Sequence, residues 1–590
     1  MTEVRTVNDE RRTLNPSPPL KRWIDVPVDE SAASSLSSEL ELPLPLARIL
    51  VSRGYNTPEA ADSFLSPRLS EVGDPFLLPD MAVAVERLIR ALRDRERIVV
   101  FGDYDVDGVT STALLSTVLT RMGGDVVGFL PSRFEDGYGL TEGALQRCIE
   151  QHKPSVIITV DCGTNSADSV VVAAEADVDV IVTDHHEPAE EVAKPLALIN
   201  PMLSESESIR MLAGVGVAFK LCHALIKQAR IDLPEAAEGV DLRDWLDLVA
   251  LGTVADVAQL KGENRILVRH GLARLTSTSR LGVQALKDVA KVRGDVDAYH
   301  IGFVLGPRIN AAGRLASGHT ALDLLVSDNA DVCRTLAAEL DDTNKERREI
   351  EDEIRIAAEA QIDERFDPEV VFGVVAAAEG WHVGTIGIVA SRLVRKYQRP
   401  AIVIGIDEEG NGRGSGRSIE GLNLVDMLDA CEDLLETHGG HAMAAGLNIQ
   451  ADNVDAFRER VNDLCAAQLK GTDLRPAQRV DAWISLGEVD RDLYEQSLRL
   501  KPCGMGNPKP VWGARHVQVA GQPRRVGKEG AHLKLLLAAG GTQLDAIGFG
   551  LGPCELPEGP IDIVFEIAED TYRGHGALQL ILKDLGPSAG

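Results

Sequence analysis

The stretch RIVVFGDYDVDG at residues 97–108 decides the fold, because a β-branched run that predicts a buried strand ends in a glycine and a loop of alternating aspartates. Similar apolar runs follow along the chain and alternate with amphipathic segments, a rhythm typical of βαβ units and a parallel sheet. The predicted strands are 97–101, 126–130, 156–160 and 178–182. We therefore expect an α/β domain over this part of the chain.

Three of these four strands run at their C-terminal ends into residue types that bind metals. The first passes into GDYDVDG, the third into VDCGTNS and the fourth into TDHHEP. The C-terminal ends of parallel strands lie side by side at one edge of an open sheet, where ligands bind. We therefore expect one spatial cluster, whose candidate members are Asp103, Asp105, Asp107, Asp161, Asp184, His185 and His186.

A cluster of carboxylates of this kind requires cations. Two unit charges at 4 Å repel by roughly 4 kcal/mol at an effective dielectric constant near 20. Oxygen ligands with one or two imidazoles suit Mg²⁺ or Mn²⁺, whereas structural zinc takes Cys/His sets, and the eight cysteines form no CxxC pair. Two cations about 3.5 to 4 Å apart activate water for attack on phosphorus. The predicted reaction is therefore phosphoester hydrolysis.

Each of these stretches alone has an ordinary structural interpretation. A DxDxD loop is common in turns, and an aspartate after a strand is usually the N-cap of the next helix. Packing explains an adjacent Asp-His-His less easily. Their joint placement at strand ends favours the metal site.

Length and composition indicate several globular domains. The 590 residues suggest three or four domains at about 150 residues each, and 44% hydrophobic with 26% charged residues is ordinary globular usage. The net charge of −30 argues against a general basic coat for anionic polymers or membranes. Two local basic segments, 392–399 and 501–530, permit nucleic-acid contacts confined to a groove. Because no apolar run reaches roughly 18 residues, we predict a cytoplasmic protein without a membrane partner.

The motifs GDYDVDG, VDCGTNS and TDHHEP resemble the first three motifs of the DHH phosphoesterase superfamily, and GTVADV, which contains Asp256, resembles the fourth. Later segments are similar to the RecJ group of single-strand-specific exonucleases: GPRINAAGRL at 306–315, and GSGRS at 414–418 with GGHAMAAG at 439–446, which resemble the DHHA1 domain. PCGMGNPKPVW at 502–512 resembles the opening of the RecJ oligonucleotide-binding barrel. The resemblance covers residues from about 42 to the C-terminus.

The residue patterns and this resemblance together predict an α/β fold of two parallel-sheet lobes, DHH and DHHA1, joined by a long helix and followed by a C-terminal OB-like β-barrel. The predicted domains are a flexible leader at 1–41, a helical lead-in at 42–94, the DHH catalytic domain at 95–338, the connector helix at 339–365, the DHHA1 domain at 366–470 and the OB-like nucleic-acid-binding domain at 478–590.

The resemblance also implies roles for individual residues. Asp105 and Asp161 would bind one of two Mn²⁺ or Mg²⁺ ions, while Asp107, His185 and Asp256 would bind the other, with Asp161 bridging. The expected catalytic residues are His186, facing the scissile phosphate, and Asp184, which would orient the histidine pair. Many superfamily members have a histidine four residues before the position of Asp105, but here that residue is Phe101, and Asp103 is the nearest substitute. The expected substrate-binding residues are Arg308, Asn310, Arg314, Ser415, Arg417 and His441.

The function that the resemblance implies is a metal-dependent exonuclease that degrades single-stranded DNA from 5′ to 3′, releasing mononucleotides, in DNA repair or recombination. Its expected partners are single-stranded DNA, a helicase and a single-strand-binding protein. Two alternatives stay open: a DHH phosphodiesterase acting on short oligonucleotides or cyclic dinucleotides, and a non-catalytic replication scaffold. The C-terminal barrel argues for a longer polymer, and the set of ligands argues for catalysis.

Overall fold

The computed structural model describes residues 21–132, 139–315, 317–570 and 576–588. The chain divides into two units. One contains residues 67–472 together with 502–508, and the other contains the N-terminal segment up to residue 66 together with 473–501 and 509–590. Among the described residues, no helix combines the length and the apolar character needed to cross a bilayer.

The N-terminal segment is ordered against the C-terminal barrel. Its elements are β1 (Arg22–Asp25), α1 (Glu30–Glu39), α2 (Leu44–Ser52) and α3 (Pro58–Leu65). The prediction of a flexible leader is therefore wrong for residues 21–41, and residues 1–20 lie outside the described part of the chain. The Ser-rich stretch forms α1 because Asp29 caps its first turn and because Ala33 and Leu36, one helical turn apart, are buried in the barrel core. The predicted helical lead-in consequently divides between the two units at residue 66.

The first sheet of the other unit is parallel throughout, as predicted. The helix α4 (Met81–Asp94) precedes it, and its elements are β2 (Arg97–Gly102), α5 (Val106–Arg121), β3 (Asp125–Phe129), α6 (Glu142–His152), β4 (Val156–Val160), α7 (Ala167–Glu175), β5 (Asp179–Thr183) and β6 (Ala197–Ile199). The strand order is β3-β2-β4-β5-β6. Gly102 is in register with Val160, and Val160 is in register with Thr183. The ends of β2, β4 and β5 therefore lie level with one another.

A helical section follows the first sheet. It contains α8 (Glu207–Arg210), α9 (Gly214–Asp232), α10 (Pro234–Ala237), α11 (Leu246–Ala255), α12 (Gly262–Thr276), α13 (Leu281–Val289), α14 (Ala298–His300), α15 (Gly306–Leu315) and α16 (His319–Val326). A π-helical turn at Ile301–Leu305 joins α14 to α15. The connector helix α17 (Ala330–Asp363) is 34 residues long. It begins earlier than the predicted residue 339, because the Asn329 side chain accepts hydrogen bonds from the first free amides of the helix.

The second lobe contains β7 (Val374–Glu379), α18 (Ile386–Tyr397), β8 (Ala401–Ile406), β9 (Asn411–Arg417), α19 (Leu424–Asp429), β10 (Thr437–His441), β11 (Ala444–Gln450) and α20 (Val454–Leu469). The strand order is β10-β11-β9-β8-β7. Only the β7–β8 pair is parallel, so the expectation of a parallel sheet needs correction here. A turn at Asp407–Gly410 folds β9 directly back onto β8, and a connection this short can only produce an antiparallel pair.

The C-terminal region forms the predicted OB-like barrel. Its elements are β12 (Ala477–Val480), β13 (Ala482–Trp483), α21 (Arg491–Leu498), β14 (Trp512–Val526), β15 (His532–Ala539), β16 (Thr542–Gly548), β17 (Ile561–Glu569) and β18 (Leu578–Pro587). The long strand β14 pairs with both β15 and β17, which closes the sheet. In the same unit, β1 pairs in parallel with β12.

Candidate metal centre

The candidate centre lies at the C-terminal ends of β2, β4 and β5, three neighbouring strands. Their level ends bring Asp103, Asp161 and Asp184 to one edge of the sheet, and α11 adds Asp256 at its C-terminus. Two groups of ligand atoms that share no residue form there, and the atoms of each group lie within 4.8 Å of one another. The groups are Asp103, Asp105 and Asp161, and Asp107, His185 and Asp256.

His185, a member of the second group, also contacts Asp161 of the first. Its Nε2 is 3.0 Å from Asp161 Oδ1, 3.8 Å from Asp107 Oδ2 and 3.9 Å from Asp256 Oδ2. Asp161 thus contacts the second group through His185 while belonging to the first, a position suited to the bridging role predicted for it.

Local backbone structure orients the carboxylates. Asp105 is the N-cap of α5, and its Oδ1 accepts hydrogen bonds from the amides of Asp107 and Gly108. Asp107 is buried and accepts hydrogen bonds from Gly214 and Val215 in the first turn of α9. Asp161 has a φ of 61°, in the left-handed region that a non-glycine residue rarely adopts. Such backbone strain is concentrated at functional sites.

Two glycines that the sequence analysis did not single out make room for these carboxylates. A Cβ at Gly214 would lie 2.9 Å from both Asp107 Oδ2 and Asp161 Cβ, and a Cβ at Gly252 would lie 2.7 Å from Asp107 Oδ1. Any larger residue would therefore displace the carboxylates. Gly252 is part of the GTVADV motif, but one sequence alone does not reveal this steric role.

The electrostatics of the cluster indicate that it is built for cations. Burial raises the pKa of Asp107 and Asp161 well above the ordinary range, and the neighbouring carboxylates raise both further. Burial and the charge of Asp105 raise the pKa of Asp256 to about 7. Carboxylates held this close and this far from water are stabilised by divalent ions, and an oxygen-rich set with one imidazole suits Mn²⁺ or Mg²⁺. The donor set therefore fits the predicted pair of ions.

The two histidines have different electrostatic environments. Burial, together with the neighbouring His186, lowers the pKa of His185 to about 4, so its imidazole is neutral near pH 7 and can act as a ligand. Burial also lowers the pKa of His186, but the hydrogen bond to Asp184 and the charges of Asp256 and Asp105 outweigh it and raise that pKa. The charged form of His186 is therefore more stable than that of an ordinary histidine.

Asp184 holds the histidine pair in place. Its Oδ1 lies 2.7 Å from His186 Nδ1 and accepts hydrogen bonds from the backbone amides of His185 and His186, while Oδ2 accepts one from the amide of Thr164. Burial would raise the pKa of Asp184, but the hydrogen bonds from His186 and Thr164 hold it well below its ordinary value. The orienting role of Asp184 stays a prediction, and these hydrogen bonds are consistent with it.

The position of the missing histidine is occupied by a core residue. Phe101 is fully buried and packs against Phe129, with a centroid separation of 5.2 Å. Its side chain belongs to the hydrophobic core on one face of the sheet. The structure brings Asp103, itself 1% exposed, beside Asp105 and Asp161.

The helix α15 contributes the next predicted residues. Asn310 Oδ1 accepts a hydrogen bond from the amide of Val106, so α15 is fixed against the aspartate loop. Arg308 is buried, and its guanidinium binds Asp341 of α17 and the carbonyl of Val304. Its role as a substrate contact stays a prediction, and these contacts favour a structural role in fixing α15 to the connector helix.

Three of the four remaining predicted substrate residues line a cavity of about 550 Å³. Arg314, Ser415 and Arg417 all contribute to its wall. Ser415 and Arg417 share a face of β9 because side chains along a strand alternate. A Cβ at Gly387 would lie 3.0 Å from Arg417 Nη2 and from Ser415 Oγ, so this glycine keeps both side chains in place.

Of the two neighbouring histidines in β10, His438 lines this cavity, and His441 is not among the lining residues. His441 pairs with Ala444 where the hairpin turns and is exposed. His438 Nε2 lies 2.7 Å from Asp429 Oδ1. The sequence analysis missed His438 because strand register, which only the pairing with β11 fixes, decides which histidine points into the cavity.

Two of the four basic residues in the predicted basic segment 392–399 are neutralised by the chain itself. Arg392 pairs with Glu351 and Asp352, and Lys396 pairs with Glu359 and Asp363, all on the connector helix. These ion pairs reduce the positive charge of the segment, and nucleic-acid contacts at 392–399 stay a prediction.

The other basic segment remains exposed on the barrel. Arg524, Arg525 and Lys528 lie on or beside the end of β14 and are exposed. In the same barrel, Phe549 is 59% exposed, and its ring lies 5.2 Å from that of His532. Positive charge combined with an exposed aromatic ring is typical of surfaces that bind single strands.

Three parts of the chain match models of known protein families. Residues 97–253 match the DHH family, N-terminal domain, residues 369–467 match the DHHA1 domain, and residues 480–584 match the RecJ OB domain. The single-stranded-DNA-specific exonuclease RecJ of Dickeya dadantii is 37% identical, over 93% of this chain and 98% of the relative. The RecJ of Bacillus subtilis is also 37% identical, over 96% of this chain and 71% of the relative.

Solved structures give a similar result. The crystal structure of RecJ from Thermus thermophilus in complex with Mn²⁺ matches with a TM-score of 0.82 and 29% identity, over 96% of this chain and 80% of that one. The same protein has also been solved in complex with Mg²⁺, with a TM-score of 0.76 and similar coverage of both chains.

Proposed function

The chain belongs to the RecJ family of single-stranded-DNA-specific exonucleases, and we propose that it hydrolyses the phosphodiester bonds of single-stranded DNA from the 5′ end at the Asp–His cluster of the first sheet. The observation that carries the proposal is the meeting of five aspartates and a histidine in two groups at adjacent strand ends. A non-catalytic scaffold has no need of such a costly arrangement of buried carboxylates.

The cofactor is Mn²⁺ or Mg²⁺, with two ions per site. Asp103, Asp105 and Asp161 would hold one ion, and Asp107, His185 and Asp256 the other, with Asp161 shared. Such ions supply the activation of water and the neutralisation of charge on phosphate oxygens.

His186 faces the reacting phosphate in this proposal. Its Nδ1 is held by Asp184, so Nε2 is the ring nitrogen that would donate to a phosphate oxygen or to the departing oxygen. Because the Asp184 carboxylate stays ionised and favours the imidazolium, His186 can donate a hydrogen bond to an oxygen on which negative charge develops. Asp184 is therefore a positioning residue for His186.

The cavity of the second lobe is proposed to bind the 5′-terminal phosphate. Arg314, Arg417 and Ser415 present donors that suit a phosphate group. Burial lowers the pKa of Arg417, because its guanidinium has lost water that an anion would replace. A terminal phosphate held here, with the scissile bond at the metal centre, would lead to release of mononucleotides.

The barrel is proposed to bind single-stranded DNA through Arg524, Arg525, Lys528 and Phe549. We further propose that a helicase and a single-strand-binding protein supply its substrate during DNA repair or recombination in the cytoplasm. An enzyme restricted to single strands requires other proteins to separate the duplex.

Digestion of strands labelled at one end, with 5′-phosphate or 5′-hydroxyl termini and in Mg²⁺ or Mn²⁺, tests this function. We expect labelled mononucleotides to appear at once from the 5′ label and late from the 3′ label. Asp161→Ala should abolish hydrolysis and leave strand binding measurable, whereas the exposed Asp168→Ala should behave as wild type. Full activity of Asp161→Ala would refute the proposed centre. Faster turnover of dinucleotides than of long strands would instead favour a short-oligonucleotide phosphodiesterase.

A further inference from the structure

Two aromatic rings that no step of the proposed hydrolysis uses stand exposed on the helical run that leads into α15. The side chains of Tyr299 and Phe303 are 57% and 63% exposed. Their rings are stacked, with centroids 5.0 Å apart and planes at 26°. Exposing two large aromatic side chains in contact with one another sacrifices the free energy that burial would supply. Such a pair therefore calls for an explanation beyond folding.

Exposed aromatic rings are uncommon in this protein. Only 4% of the residues are aromatic. Among the described residues, the aromatic members of the exposed large hydrophobic set are Tyr299, Phe303 and Phe549. Single exposed hydrophobic residues are ordinary, but a stacked pair presents a continuous flat surface.

The backbone that holds this pair packs against α11, which ends at Asp256. Tyr299 lies in α14 and Phe303 in the π-helical turn Ile301–Leu305, and such turns are frequent at functional sites. Ile301 and Leu305 are fully buried, and the turn packs against α11. A Cβ at Gly306 would lie 3.5 Å from the Cβ of Ala255, which directly precedes Asp256. The aromatic pair is thus rigidly attached to an element that also holds a proposed metal ligand.

The helical run from α14 through α15 carries residues that contact the cavity and the aspartate loop, as well as the aromatic pair itself. Arg314, at its C-terminal end, lines the cavity proposed for the 5′-phosphate. Asn310 binds the amide of Val106 in the aspartate loop. At a rise of 1.5 Å per residue, Arg314 is about 6 Å from Asn310 in one direction along the axis, and Phe303 is about 10 Å away in the other. A strand with its 5′ end at Arg314 and its scissile bond at the aspartate loop would reach the aromatic pair with its following nucleotides.

We propose that Tyr299 and Phe303 form a stacking platform for the nucleobases on the 3′ side of the scissile bond. The inference rests on the proposed function, because that function supplies the strand and its direction. Every base has a flat face, so stacking on the platform is tolerant of sequence. Bases paired within a duplex are already stacked on their neighbours and are not available to the platform, which adds a reason for preferring single strands.

Strand binding with the fluorescent base 2-aminopurine tests the platform. The probe is a 5′-phosphorylated DNA strand with 2-aminopurine at successive positions from the 5′ end, bound in Ca²⁺ so that binding can be measured with little turnover. Stacking on an aromatic side chain quenches this base. We expect quenching at positions just 3′ of the first phosphodiester bond, its loss in Phe303→Ala and Tyr299→Ala, and its retention in Phe303→Tyr. Each alanine variant should bind the strand at least about fivefold more weakly.

A matched control is available on α9, where Ile231 is 74% exposed. Ile231→Ala removes a similarly exposed apolar side chain and should change neither the quenching nor the affinity. Thermal unfolding with and without Mn²⁺ should be the same for all variants and wild type, because the substituted side chains are exposed.

Different results would overturn the stacking platform and the proposed hydrolysis. Normal 5′ digestion by wild type, together with unchanged quenching and affinity in Phe303→Ala and Tyr299→Ala, would overturn the platform and leave the proposed function standing. A wild-type chain that neither binds nor digests the strand would overturn the proposed function as well.

Discussion

Replacing Asp256 by asparagine should stabilise the metal-free protein and should reduce the stability that the protein gains on binding metal. Asp256 lies in the group with Asp107 and His185, and its pKa is raised to about 7 by burial and by the charge of Asp105. Without cations, its ionisation therefore opposes folding. With cations, the same carboxylate is a ligand.

The size of the effect on the metal-free protein follows from the pKa of Asp256. A rise from the ordinary value of 3.8 to about 7 corresponds to about 4 kcal/mol at a pH above 7. The Asp256 side chain is still 24% exposed, so solvent screens part of this repulsion, and we expect about 2 kcal/mol. Because the folded state binds this proton more tightly than the unfolded state, the metal-free protein should lose stability as the pH rises from 3.8 to about 7.

Thermal unfolding in EDTA and in Mn²⁺, followed at a series of pH values, measures both effects. In EDTA at a pH above 7, Asp256→Asn should unfold at a temperature a few degrees higher than wild type. In Mn²⁺ the order should reverse, because wild type gains more from binding the ions. Asp168→Asn removes the same charge from an exposed site and should shift neither curve.

A lower unfolding temperature for Asp256→Asn than for wild type in EDTA would refute the reasoning, since it would mean that the carboxylate stabilises the metal-free fold. An equal response of both proteins to Mn²⁺ would show that Asp256 is not a ligand.

Other predictions concern the histidine pair, the cavity and the barrel core. Asp184→Asn should lower the rate of hydrolysis about 10- to 100-fold. It should also move the pH profile of the rate toward acid, because His186 loses the partner that raises its pKa. Steady-state kinetics over a pH series would detect this shift, and an unchanged profile would contradict the role given to Asp184. Arg417→Ala should raise KM about tenfold for strands with a 5′-phosphate and less for strands with a 5′-hydroxyl. The control Arg348→Ala, at an exposed arginine, should leave KM unchanged for both substrates. Equal effects of Arg417→Ala on both substrates would place the terminal phosphate elsewhere. Leu46→Ala should destabilise the unit that contains the barrel by about 2 to 5 kcal/mol, because Leu46 is fully buried in its core. Calorimetry should show a lower unfolding temperature for that unit. Ile231→Ala is the control.

The part of the site that could be predicted from the sequence consists of residues that directly follow apolar strand-forming runs. Asp103, Asp161 and Asp184 each follow an apolar run, and parallel pairing alone is enough to bring the ends of neighbouring strands together. No long-range packing detail was needed to recognise that cluster.

What the sequence could not predict depends on contacts between distant segments. The neutralisation of Arg308 requires Asp341, and the steric role of Gly214 appears only when α9 is packed against Asp107. His438 and His441 are equally plausible cavity residues until the β10–β11 register is known. The order in residues 21–41 arises from burial of Ala33 and Leu36 against a barrel whose sequence begins at the far end of the chain.

The pairing of β1 with β12 has a consequence for synthesis on the ribosome. The N-terminal segment up to residue 66 cannot complete its core until the residues from 473 onward have emerged, a delay of roughly 20 to 80 s at about 5 to 20 residues per second. Meanwhile, the intervening catalytic unit can fold as it emerges. The apolar faces of α1, α2 and α3 are exposed during that interval, which makes the beginning of the nascent chain a natural client for chaperones.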